Sequence, residues 1–177
     1  TLSLHDALPI LLWARHGTLQ MLHEQHEMDF WTGLPYYNCT AGRDVFKAMP
    51  GALLVAGQQP AARDLLEHFI RYQLLDPTDP LEGRFPNRIL NPNDRWFNAA
   101  DVDGWLTRAA WSYLQTSGDL HFAETFYPHL KLSIEAELAR ADWAGMLRHR
   151  DDATWMNSTF LGEHAWAPRG NRAIEVQ

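Results

Sequence analysis

The strongest constraint on this chain is a helical spacing of apolar residues that appears, stops and starts again. From Gly42 to Val55 the residues Val45, Phe46, Met49 and Leu53 recur three and four apart, as on one helical face. Gly57 suits the position just past a helix and Pro60 the first turn of the next. Ala62, Leu65, Leu66, Phe69 and Ile70 then repeat the pattern until Asp76-Pro77 ends it. After a proline-containing stretch, Pro80 to Asn98, the spacing returns with Val102, Trp105, Leu106, Ala109 and Tyr113. It breaks at Ser117-Gly118 and resumes with Phe122, Phe126, Leu130, Ile134 and Leu138. Two helical hairpins are therefore predicted. Strict alternation is scarce, with Asp152 to Met156 as a candidate short strand, so the predicted class is all-α.

Three inner helices are expected to begin near Arg43, Asp101 and Ala173, and long loops precede only the first helix of each pair. If such pairs stack side by side, the loops gather at one end and their polar groups face a common pocket. The expected architecture is part of an α/α toroid, with inner and outer helices alternating.

Composition narrows the partners. A net charge of -7 without any run of Lys or Arg supplies no electrostatic footprint for nucleic acid or an anionic membrane. No apolar stretch reaches the roughly 20 residues of a membrane helix. The single cysteine, Cys39, excludes an internal disulfide framework and fits a reducing, cytoplasmic compartment. Eight tryptophans are many for 177 residues, and they serve either core packing or sugar stacking. The chain shows no Gly-rich phosphate-binding loop, no GxSxG elbow and no plausible Cys-His nucleophile pair, and no cofactor is expected. HEQHEMD, His23 to Asp29, is one residue short of a zinc-binding HExxH and is read as a solvated helix face, so no metal is expected. Asp76 to Asp79, DPTD, is read as turn chemistry. Residues 1–10, TLSLHDALPI, read like a translated sequencing adaptor and are set apart as an artefact. Residues 11–177 are expected to be a fragment truncated at both ends.

Three clusters could carry chemistry. Tyr36-Tyr37-Asn38 precedes Gly42-Arg43-Asp44, where Asp44 suits a helix N-terminus on structural grounds alone. Adjacent Arg43 and Asp44 could instead grip vicinal hydroxyls, the guanidinium donating and the carboxylate accepting. In WFNAADVDGW, Trp96 to Trp105, two carboxylates stand at a helix start. Asp103 is assigned the capping role. Asp101, with Trp96, Phe97 and Trp105 near in sequence, is the candidate general acid, because apolar walls penalise the charged form. The third cluster, Thr154 to Asn157 with Pro168-Arg169-Gly170 and Glu175, is by itself a polar loop before a helix.

These segments resemble the amylo-α-1,6-glucosidase domain of glycogen debranching enzyme and its bacterial relatives. The resemblance is carried by AGRDVFKAMPGALLVAGQ, GRFPNRI, FNAADVDGWLTRAAWSYLQTSGDLHF and TWMNSTFLGEHAWAPRGNRAIEVQ, in order, from about Trp31 onward. It implies a six-hairpin α/α toroid, of which this chain would be about half. The implied activity is hydrolysis of α-1,6-linked glucose in a branched α-glucan, with inversion at the anomeric carbon. It makes Asp101 the general acid and gives Arg43 and Asp44 the hydroxyls of the glucose whose bond is cut. Trp155, Asn157, Arg169 and Glu175 fall on segments where substrate contacts are implied. Two departures stand out. The family's TWMD ends here in Asn157, which accepts hydrogen bonds but carries no charge. An inverting glycosidase also needs a second carboxylate about 6.5 to 9.5 Å from the acid, and the resemblance puts that base beyond Gln177. Other glycosidases on the same toroid, of glucoamylase, trehalase or α-glucosidase type, and a non-catalytic carbohydrate-binding or scaffold module stay open as alternatives.

Overall fold

The computed structural model describes residues 4–24, 28–33, 35, 36, 39–162 and 164–177. Among these are five α-helices: α1 (Leu4–Leu19), α2 (Gly42–Met49), α3 (Gln59–Arg71), α4 (Val102–Ser117) and α5 (Leu120–Arg140). Three antiparallel two-stranded ribbons join them: β1 (Leu22–Glu24) with β2 (Met28–Phe30), β3 (Arg88–Asn91) with β4 (Asp94–Trp96), and β5 (Thr159–Phe160) with β6 (His164–Ala165). No described helix is long and apolar enough to cross a membrane. The chain is thus helical, as its spacing predicts, with short ribbons added in the loops. The strand considered at Asp152 to Met156 is absent, because residues 151–155 turn and the ribbon forms further on. Residues 4–10, set apart in the sequence, lie within α1. Near Ala173 the chain forms a 3-10 turn, Ile174–Val176.

The predicted helix over Gly42 to Val55 is interrupted. Pro50 has no N–H to continue the ladder of α2, and residues Pro50–Leu54 widen into one π-helical turn closed by Val55 N–H on the Pro50 carbonyl. The second hairpin follows its punctuation closely. Gly118 takes the left-handed conformation (φ 66°) that ends α4, and Asp119 caps α5 by accepting from Phe122 N–H at 3.0 Å.

The core lies between α2, the π turn, α3 and α4. Phe46, Met49, Leu53, Leu65, Leu66, Phe69, Val102 and Leu106 are all essentially removed from water, each worth roughly 1.5–3 kcal/mol on burial. Phe46 and Phe69 meet edge to face at 4.9 Å between ring centroids. Ala109 and Ala110 give α4 a small-residue surface within this cluster, and α2 packs on α4 more extensively than any other pair. The long loop between α3 and β3 is held rather than loose. Asp76 accepts from both N–H and Oγ1 of Thr78, the turn read from DPTD. Gln73 donates to the carbonyls of Gly83 and His129, and Arg84 pairs with Glu137 of α5 at 2.8 Å.

Candidate active site

The site begins where α2 starts. A side chain on Gly42 would put its Cβ 3.0 Å from Phe69 and 3.2 Å from the Pro86 carbonyl, so glycine lets α2 approach the loop before β3. The approach is fixed by Asn87. Its carbonyl accepts Gly42 N–H at 2.6 Å, its Oδ1 accepts Arg43 N–H at 3.2 Å, and its Nδ2 donates to Asn98 Oδ1 at 3.1 Å. Asn87 therefore satisfies two of the free N–H groups at the start of α2.

Held in this way, Arg43 reaches across to α4. Its side chain is 7% exposed, and Nε donates to Asp101 Oδ1 at 2.7 Å while Nη2 donates to the Ala153 carbonyl at 3.1 Å. Asp101, 11% exposed in its side chain, also accepts from Trp105 Nε1 at 3.1 Å through Oδ2. Asp101 stands at the cap position of α4 without a side-chain capping bond. Its two oxygens are instead engaged by a cation and an indole. Ala100 N–H donates to the Ala153 carbonyl at 2.8 Å, which ties the segment leading to Trp155 onto the same place.

Asp103 is not the cap that the sequence suggests. Its Oδ1 accepts Phe85 N–H at 2.8 Å, 18 residues back in the chain, and its Oδ2 is buried without a hydrogen-bond partner among the described residues. Burial pushes this carboxyl up to about 7; Glu137 adds to the effect, while the Phe85 N–H, Arg84 and Arg140 oppose it. Within this segment the carboxyl that burial keeps protonated is thus Asp103. Asp103 anchors the loop that carries Asn87, and so acts on Arg43 from behind.

Two cavities flank the Arg43–Asp101 pair. One, of about 640 Å³, is bordered by Arg43, Asp44, Lys47, Trp96, Trp155 and Asn157 among others. The other, of about 530 Å³, is bordered by Asp101, Asp103, Trp105, Glu137 and Glu175 among others. Four sequence-predicted residues thus share one cavity, and Asp101 is bonded to one of them. Glu175 lies on the Asp101 side. Its own backbone N–H and the Arg169 guanidinium hold its carboxyl below the usual range against the opposing effect of burial. Arg169 pairs with Glu175 at 3.2 Å but lines neither cavity.

Tyr36 is exposed, whereas Tyr37 and Asn38 lie outside the described residues. The same holds for His26 of HEQHEMD. His23 belongs to a strand rather than the helix face read for it, and its ring lies 4.5 Å from that of Trp31. Asn87, Lys47 and Trp96 also border the larger cavity, and the sequence reading does not include them among its site residues. For Asn87 the signal lies in GRFPNRI, one of the segments that carry the resemblance.

A helical domain whose loops bring Arg43, Asp44 and two exposed tryptophans to one cavity, with Asp101 bonded to that arginine and bordering the adjoining cavity, is of the type that handles neutral, hydroxyl-rich ligands. The family model described as amylo-alpha-1,6-glucosidase matches residues 14–177, and the chain belongs to that family, a glycoside hydrolase type of domain. Comparison with curated proteins gave no match.

Proposed function

We propose that these residues form the acid side of an inverting glucosidase that releases α-1,6-linked glucose from a branched α-glucan. The observation that carries the reading is the 2.7 Å contact of Arg43 with Asp101, which joins segments 58 residues apart at the edge of the cavity shared by Asp44, Trp155 and Asn157. In this scheme Arg43 donates to, and Asp44 accepts from, hydroxyls of the departing glucose. Asp101 carries the proton that passes to the glycosidic oxygen as its bond to the anomeric carbon breaks. Sugar hydroxyls that draw Arg43 away free Oδ1 of Asp101 for that proton, while Trp105 keeps hold of Oδ2. Trp155 supplies an apolar surface, Asn157 accepts hydroxyls without adding charge, and Glu175, steadied by Arg169, borders the approach from the Asp101 side.

The water is activated by a second carboxylate, which this reading puts outside residues 11–177, with residues 1–10 foreign to the domain. The complete domain is then an α/α toroid of six hairpins, working on glucan in the cytoplasm, and the 177 residues alone turn over little substrate. The test is the product's configuration. Proton NMR of the first glucose released from an α-1,6-branched dextrin by the complete domain is expected to show the β anomer. Release of α-glucose, or a preference for α-1,4 over α-1,6 linkages, would replace this reading with another toroid glycosidase.

A further inference from the structure

The larger cavity has a wall that the proposed hydrolysis does not use. It is formed by the end of the β3–β4 ribbon, where Trp96 is 42% exposed and faces the same space as Trp155, itself 56% exposed. An indole left this open forgoes apolar burial, yet the ring is fixed on two sides. Its Nε1 donates to Asp94 Oδ1 at 3.0 Å. The Arg88 guanidinium, brought opposite Trp96 by the ribbon's register, lies 4.8 Å from the ring centroid. Among the described residues the Nε of Arg88 is buried without a hydrogen-bond partner.

The ring is also fixed relative to Arg43. Asn87 N–H donates to the Trp96 carbonyl at 2.7 Å, and the same Asn87 holds the backbone N–H of Gly42 and Arg43. One residue therefore sets both the guanidinium that would hold a sugar and the indole beside it. A ring held by a carboxylate and a guanidinium, with open area in a cavity that Arg88 also lines, is a stacking surface, because a pyranose presents an apolar C–H face for the indole and a hydroxyl rim for nearby polar groups. The cavity, about 640 Å³, is in the range that encloses ligands larger than one sugar ring.

We propose that Trp96 is the platform for a second glucosyl unit, adjacent to the one gripped by Arg43 and Asp44, and thereby sets a preference for oligosaccharide over single glucosides. This rests on reading the cavity as a glucoside site. The test measures binding of methyl α-glucoside and isomaltose to the 177-residue chain by calorimetry. Trp96→Ala is expected to weaken isomaltose about tenfold and methyl α-glucoside less than about twofold. Trp96→Phe should retain most of the isomaltose affinity, and Asp94→Ala, which unpins the ring, should lose a few-fold for isomaltose alone. Unchanged isomaltose affinity in Trp96→Ala, or an equal loss for both sugars, overturns the platform. If Trp96→Ala fails to fold, Asp94→Ala decides, and no selective loss in it is equally fatal. Failure of the underlying reading looks different: Arg43→Ala and Asp44→Ala would leave methyl α-glucoside binding intact. A wild-type chain that binds neither sugar overturns both.

Discussion

The two ends of the α4 environment are built to different standards. Toward α2 and α3, the residues Val102, Leu106, Ala109 and Ala110 are sealed in the core that places Arg43 against Asp101. Toward the second half of α5 the packing thins. Of that helix only Phe122, Phe126 and Ser133 are buried, while Ile134 and Leu138 are 48% and 64% exposed. Apolar burial is concentrated where two distant segments must meet, and the wall of the cavity beside Glu175 is less sealed. Side chains of equal chemistry should therefore have unequal consequences on the two sides.

The largest contrast is expected from truncation of apolar side chains. Phe69→Ala should lower the unfolding free energy by about 4 kcal/mol in a urea titration, whereas Leu138→Ala should change it by less than about 0.5. Equal losses would mean that α5 is as well packed as the core. Next comes the ion pair: Arg43→Ala leaves the Asp101 carboxylate without its guanidinium at a nearly buried position and should cost about 3 kcal/mol. Lys131→Ala, which breaks the exposed Lys131–Glu135 pair on α5, should cost under about 0.5 by the same measurement.

Asp103 sharpens the comparison through pH. Its carboxyl is raised in the folded chain, so the native state holds a proton that the unfolded state releases near 3.8. The stabilising contribution is fully present below 3.8 and is lost as pH rises through about 7. Between pH 5 and 8 the chain should lose on the order of 2 kcal/mol from this group. Asp103→Asn keeps an acceptor for Phe85 N–H without the ionisation and should flatten that slope. An unaltered slope in thermal melts across this range would show that Asp103 titrates normally. The smallest contrast is expected between two tryptophans of α4: Trp105→Phe, which keeps a ring and removes the indole N–H to Asp101, should cost about 1 kcal/mol in a urea titration. Trp111→Phe, on an exposed stretch of α4, should be near zero.

What was legible in the sequence follows from which forces are local. The spacing of Val45, Phe46, Met49 and Leu53, and of Val102, Leu106 and Ala109, gave α2 and α4 because helical periodicity is read within a few residues. The ribbons were missed because strands of two to four residues are too short for alternation to declare itself. The π turn needed the knowledge that Pro50 would be absorbed rather than end the helix. Arg43, Asp44, Asp101, Trp155 and Asn157 are legible as candidates from residue type and motif, which carry no information on their proximity. The roles of the two aspartates could not be separated in the same way. Asp103 is decided by Phe85 and Glu137, and Asp101 by Arg43, all distant partners that no local window around Trp96 to Trp105 contains.

The central claim, that Asp101 is the proton donor to a sugar ether, is tested most directly by steady-state hydrolysis of an α-1,6-linked glucoside by the complete domain carrying Asp101→Asn. The expected result is a fall in kcat of at least about a hundredfold with KM changed only a few-fold. Turnover at the wild-type rate in that variant would contradict the account.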